Sequence, residues 1–393
     1  MKFASRMSEF EGSDIQEILK VTARPDIISF GGGLPAPELF PVEGMKRAME
    51  KVLDETGSKA LQYSTTEGLV PLREKIAKRT NKRSGTSLGT ENVLIVTGSQ
   101  QALDMAGKVF IDEGDVILCE SPTYLGAIDA FKAYGPNFVE VETDGEGMVS
   151  EDLARQIESN DRVRMVYVTP EFQNPTGVTW SESRRRSFME VINRYDIPVL
   201  EDNPYGELRF QGDTPRSLQS FDEKGNVLLL GTFSKILSPG MRVAWMCGEK
   251  ELLERFVFVK QASDLHTSTL SQYQINAFLE MFDLDEHIST LVEVYRHRRD
   301  VMLSSMDQFL PENVCYNRPE GGLFTWAEMP EEVSARDVLI EAIEKKVAFV
   351  PGGAFYPNGG HENTLRLNFS NMPPEKIRQG IEILGRVMGS FTA

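Results

Sequence analysis

Short apolar runs recur through the middle of the chain, at residues 92–98, 115–120, 163–170, 198–203 and 227–233, with helical patterns between them. After the first run, Ser99 reads as a helix cap, and Ala102, Met105, Ala106, Val109 and Phe110 follow as one apolar face at helical spacing. Residues 183–194 have the same character. Strands that alternate with helices are joined by right-handed crossovers into a mostly parallel sheet. The expectation is an α/β fold with helices on both faces of that sheet. Ligands of such sheets gather at the carboxyl ends of the strands.

The two ends of the chain differ from this middle. A long helical stretch from about 285 to 310 precedes alternating strands at 322–329 and 364–370, which reads as a smaller α+β domain over 285–393. The large domain then spans 46–284. Residues 1–45 hold Gly31, Gly32 and Gly33 with Pro35, Pro37 and Pro41, so this segment is expected to be a loop that joins the small domain and edges the cleft.

Composition narrows the function. Lys and Arg number 42 against 59 Asp and Glu, a net charge of −17, whereas nucleic-acid binding needs a clustered positive surface. Cys119, Cys247 and Cys315 are odd in number and far apart, which indicates neither disulfides nor a zinc site and fits a reducing cytoplasm. His266, His287, His297 and His361 are not spaced as metal ligands, so no metal is expected. No apolar stretch reaches the roughly 18 residues of a membrane span, and residues 1–10 lack a secretory apolar core.

Chemistry concentrates in the turns. Gly231-Thr232-Phe233-Ser234-Lys235 ends an apolar run, and Ser238-Pro239-Gly240-Met241-Arg242 leads into the next, 243–247. Taken alone, Lys235 reads as a solvated loop lysine. Its small hydroxyl neighbours and Arg242 suit a carbonyl cofactor that also carries a phosphate. Asp202 closes the apolar part of the 198–203 run with Tyr205 three positions on, and on residues alone reads as a helix cap or turn former. Asn174-Pro175-Thr176-Gly177 is a turn in either case. Gly98-Ser99-Gln100 lies where a strand meets a helix N-terminus, which favours an anion.

The pattern Thr232–x–Ser234–Lys235–x–x–x–Pro239–Gly240–x–Arg242 resembles the fold-type I pyridoxal-phosphate (PLP) enzymes, specifically the class I aminotransferases. The resemblance implies Lys235 as the Schiff-base lysine, Asp202 rather than Glu201 as partner of the pyridine nitrogen, and Tyr205 and Asn174 at the ring oxygen. It implies Tyr124 stacked on the ring, and Ser99, Gln100, Thr232, Ser234 and Arg242 about the phosphate. Tyr63 would reach the phosphate of a neighbouring subunit, so a homodimer with shared sites is implied. Arg366, within the alternating stretch Thr364-Leu365-Arg366-Leu367-Asn368-Phe369, would fork onto the substrate carboxylate, with Asn174 and Gly33 beside it. On residues alone, an arginine on that polar face is as readily solvated.

The segments 30–41, 61–63 and 260–266 are similar to the subgroup of 2-aminoadipate (LysN-type) and kynurenine aminotransferases. There Arg24 would meet a distal substrate carboxylate, although an arginine before Pro25 is equally a solvated one. The implied activity is transfer of an amino group from 2-aminoadipate, an aromatic or a branched-chain amino acid to 2-oxoglutarate by a ping-pong cycle. Two rivals share the cofactor: a PLP-dependent lyase or decarboxylase, and a regulator that only senses PLP. Such regulators carry an N-terminal winged-helix domain, for which the segment ahead of Lys46 is too short.

Overall fold

The computed structural model describes residues 1–4, 6, 7, 24 and 26–392. Strand β1 (Ile28–Ser29) is the first strand among the described residues, and β2 (Val93–Val96), β3 (Val116–Glu120) and β4 (Asn137–Val141) follow. A small ribbon of β5 (Thr143–Asp144) and β6 (Gly147–Met148) leads to β7 (Val163–Val168), β8 (Val199–Asp202), β9 (Val227–Thr232) and β10 (Ala244–Cys247). Seven of these form one sheet in the order β2-β10-β9-β8-β7-β3-β4. Its pairs are parallel except that β10 runs antiparallel to both neighbours. The mostly parallel sheet expected from the alternation is therefore present.

Both faces of the sheet are covered, which is why its strands read as continuous apolar runs: all four residues of β2 and all six of β9 are buried. Against one face pack Ala102, Leu103 and Ala106 of helix Ser99–Phe110 with Phe131 and Phe256. Against the other pack Leu153, Trp180, Phe188 and Ile192. The edge strand β4 escaped the reading above because it is mostly half-buried and shows no clear apolar period.

Toward the C-terminus, β11 (Cys315–Tyr316), β12 (Phe324–Glu328), β13 (Val347–Ala348), β14 (Val350–Pro351) and β15 (Thr364–Asn368) follow the helix Leu284–Phe309. Four of them make an antiparallel sheet in the order β11-β12-β15-β14. The side chain of Asp283 accepts the amides of Asp285 and Glu286 and caps the long helix. That helix packs along Pro374–Phe391.

Two local readings are corrected. Residues 26–45 are not loop throughout, because β1 pairs in parallel with β13 and Pro37–Leu39 form a single 3-10 turn. The amide of Phe30 also donates to Ala348 at 2.7 Å, and that of Asn368 to Phe30 at 2.8 Å, so backbone pairing ties this segment to the small sheet. Ser99 is not the helix cap. Gly98 holds that position at φ 76°, a left-handed conformation that suits glycine, and Ser99 begins the helix with its hydroxyl free of the capping bond.

Candidate active site

The site lies where the carboxyl ends of β7, β8 and β9 meet the Gly31–Gly33 segment and β15. Lys235 sits three residues past the end of β9 in a tight loop. Thr232 Oγ1 accepts the amide of Ser234 at 3.0 Å and donates to Ser234 Oγ at 2.9 Å, which fixes the turn ahead of the lysine. Lys235 Nζ donates to the carbonyl of Gly33 at 2.7 Å. Burial lowers its pKa to about 8, helped by the positive charges of Arg366 and Arg242.

Alternation along β8 separates two neighbouring carboxylates. Glu201 accepts the amides of Leu218 and Gln219 at 2.9 and 3.0 Å and is structural. Asp202 lines the same cavity as Lys235. Its Oδ2 accepts from the Tyr167 hydroxyl at 3.0 Å, while the buried Oδ1 has no hydrogen-bond partner. Burial raises the Asp202 pKa to about 6, and the Tyr167 bond opposes that rise. Tyr205 is 4% exposed and accepts from Asn174 Nδ2 at 3.4 Å.

Arg366 was read on a polar strand face, but in the fold that face is covered and the residue is 7% exposed. Its Nη1 donates to Asn174 Oδ1 at 2.7 Å and its Nη2 to Gly31 O at 2.6 Å. The rings of Phe324 and Phe355 lie 4.3 and 5.0 Å from its guanidinium carbon. Among the described residues no carboxylate pairs with it, and its buried Nε is unbonded. Burial lowers its pKa to about 10.

A cavity of about 170 Å³ gathers ten of the expected residues. Ser99, Gln100, Thr232, Ser234 and Arg242 line it, as do Lys235, Asp202, Tyr205, Asn174 and Tyr124. A larger cleft shares Lys235, Tyr124, Asn174 and Tyr205, and adds Gly33, Arg366 and Arg24. Arg24 is half exposed there and ion-paired to Asp26 at 2.9 Å. Tyr63 lines neither cavity; it is 78% exposed and meets the His266 ring edge-on at 5.8 Å. Sequence reading missed Tyr167 and Thr169, which also line the smaller cavity. A tyrosine in an apolar strand carries no signal beyond its hydroxyl.

These residues fit PLP on several grounds. Lys235 offers an amine of depressed pKa, and Asp202 Oδ1 is a buried acceptor awaiting a ring N–H. Ser99 Oγ is buried without a partner at a helix N-terminus, where an anion is favoured. Gly98 has no side chain where the Arg242 guanidinium passes over it, so a Cβ there would collide with that group. Among the described residues, no His, Cys, Asp and Glu cluster could hold a metal ion, and no helix is long and apolar enough to cross a membrane.

Comparison with known proteins agrees with this chemistry. The family described as aminotransferase class I and II matches residues 28–384. The chain is 43% identical to an aromatic-amino-acid aminotransferase of Thermococcus litoralis, over 98% of this chain and 94% of that one. It is 42% identical to a 2-aminoadipate transaminase of Thermus thermophilus, over 100% and 97% of the two chains. A crystal structure of Pyrococcus horikoshii kynurenine aminotransferase superposes with a TM-score of 0.96 at 40% identity, covering 100% and 98%. A lysine amine, a buried carboxylate lining the same cavity and a family match over most of the length converge on one conclusion: the chain belongs to the class I and II aminotransferases, transaminases of PLP fold type I.

Proposed function

We propose that this aminotransferase moves the α-amino group of 2-aminoadipate, an aromatic or a branched-chain amino acid to 2-oxoglutarate, both half-reactions using one site in a ping-pong cycle. The observation that carries this reading is Arg366, a buried cation in the cleft that holds Lys235, with no carboxylate partner among the described residues. A buried unpaired charge is costly, and the planar carboxylate of an α-amino or 2-oxo acid is the bidentate partner that a guanidinium accepts. Relatives that act on 2-aminoadipate and on aromatic amino acids, at 42% and 43% identity, support the donor classes.

When bound, PLP supplies a carbonyl that takes up amines and a ring that stores the electron pair left at the substrate Cα. The protein's part follows from its own groups. Lys235 would hold the cofactor, and its free amine is placed to take up and deliver the Cα proton; a pKa near 8 leaves part of that amine neutral at physiological pH. Asp202 Oδ1 would accept the ring N–H, Tyr205 and Asn174 would hold the ring oxygen, and Tyr124 would lie against the ring. Ser99, Gln100, Thr232, Ser234 and Arg242 bind the phosphate, Arg242 supplying the fixed charge. Arg366, held by Asn174 and backed by the Gly31–Gly33 segment, orients the substrate carboxylate. Arg24 meets a second carboxylate on dicarboxylic donors after leaving Asp26. Tyr63 extends to the phosphate of a partner subunit in a cytoplasmic homodimer.

The visible spectrum of the holoenzyme tests this reading. Each donor is added alone, followed by 2-oxoglutarate. Loss of the yellow band with a donor and its return with the oxo acid is the expected result. A band that no α-amino acid moves would overturn the proposal.

A further inference from the structure

We propose that Tyr167 is a positioning residue for the cofactor ring: its hydroxyl holds Asp202 by one oxygen so that the other, ionised and unshared, faces the ring nitrogen. The inference rests on the aminotransferase reading of the site and extends it to a residue outside the motifs.

Register makes the arrangement. Tyr167 in β7 is paired with Leu200 in β8. Side chains alternate along a strand, so residues 200 and 202 share Tyr167's face and Glu201 takes the other. The Tyr167 ring is 1% exposed and packs edge-on against Phe131 at 5.8 Å, which leaves its hydroxyl little freedom. That hydroxyl donates to Asp202 Oδ2 at 3.0 Å and accepts from Thr169 Oγ1 at 3.5 Å. Thr169, Tyr167 and Asp202 thus form a directed chain ending in the carboxylate. Among the described residues Asp202 has no other hydrogen-bond partner, and Oδ1 is left bare.

The chemistry follows from solvation. A carboxylate this deeply buried loses its water shell, and desolvation favours the protonated acid. Lys235, Arg242, Arg366, Tyr124 and Tyr205 line the surrounding cavities, yet none of them bonds to Asp202. Among the described residues, Tyr167 supplies the one hydrogen bond the carboxylate receives. An ionised Asp202 keeps the ring nitrogen protonated, which makes the ring an electron sink, whereas a protonated Asp202 would donate to that nitrogen instead.

The test compares wild type, Tyr167→Phe, Asp202→Asn and the double variant as holoenzymes reconstituted with PLP labelled with ¹⁵N in the ring. Tyr167→Phe keeps the ring packing and removes only the donor. The ¹⁵N resonance is expected to move toward the unprotonated value. The rate kcat should fall about tenfold, the usual consequence of losing one hydrogen bond to a charged group, with KM for the amino donor little changed. In the Asp202→Asn background the same change should add no further loss, because Tyr167 acts through Asp202. An unmoved ¹⁵N resonance, or losses that multiply in the double variant, would overturn the proposal. If no variant and no wild type transaminates while the ¹⁵N shift still responds to Tyr167→Phe, the fault lies with the aminotransferase reading and not with the Tyr167–Asp202 pair.

Discussion

Lys235 Nζ donates to the carbonyl oxygen of Gly33 at 2.7 Å, a bond between groups 202 positions apart in the chain. The N-terminal glycine segment therefore closes directly over the Lys235 amine. Its neighbours Arg366 and Arg242 add positive charge to the cost of burial, and together these hold the Lys235 pKa near 8.

That depression has a measurable sign. Below pH 8 the lysine is charged in both folded and unfolded chains. Between 8 and its unfolded value of 10.5 the unfolded chain binds more protons, so apo-protein stability should rise with pH across that window. Labelling of the apo-protein by an amine-directed reagent should reach half its maximal rate near pH 8. Half-maximal labelling near 10.5 would mean that the site does not tune this amine. Lys235→Ala should abolish turnover while leaving circular dichroism unchanged.

Arg366→Lys is expected to lower kcat/KM about 10- to 100-fold for every α-amino acid donor, since a point charge replaces two aligned donors to the carboxylate. The loss should appear mainly in KM. A loss confined to dicarboxylic donors would show that Arg366 reads the side chain instead of the α-carboxylate.

Gly98→Ala places a Cβ against the Arg242 guanidinium at a residue with φ 76°. PLP affinity, followed by absorbance titration of the apo-protein, should weaken about tenfold, with the left-handed strain alone costing roughly 1–2 kcal/mol. Unchanged affinity would remove Arg242 and the Gly98–Ser99 turn from the phosphate site.

Arg24→Ala should reduce kcat/KM for 2-aminoadipate and glutamate more than for phenylalanine. In the structure Arg24 is engaged with Asp26, which also pairs with Lys346 at 2.7 Å. Asp26→Asn should therefore favour dicarboxylic donors by freeing the guanidinium. Equal effects on all donors would exclude Arg24 from side-chain recognition.

Tyr63 is exposed and outside both cavities of its own chain, so its proposed role needs a partner. Tyr63→Ala and Lys235→Ala subunits, each impaired as homodimers, should regain activity when mixed and allowed to exchange, because one site of the heterodimer is intact. No recovery after demonstrated exchange would place Tyr63 outside the catalytic site.

Much of the site was legible because it is local. The turn from Thr232 to Arg242, the carboxylate ending β8 and the Asn174 turn each lie in a few consecutive residues, where backbone preference and spacing suffice. Ser99 shows the limit of such reading. Its type suggested a cap, yet the left-handed Gly98 took that position and freed the hydroxyl for the cavity. Tyr167 gave no sign at all, since a strand tyrosine becomes informative only when register sets it beside Asp202.

The alternation of apolar runs and helical faces determined the α/β sheet, because side-chain periodicity decides which elements can bury their apolar surface together. Motif position, through the family resemblance, likewise singled out Asp202 over Glu201. Tertiary structure alone decided the charge states and the partners. Arg366 meets Asn174 across 192 positions, and Lys235 meets Gly33 across 202. Such contacts depend on how distant segments pack, and only that packing removes the water that would otherwise leave an arginine, a lysine and an aspartate at their ordinary pKa values.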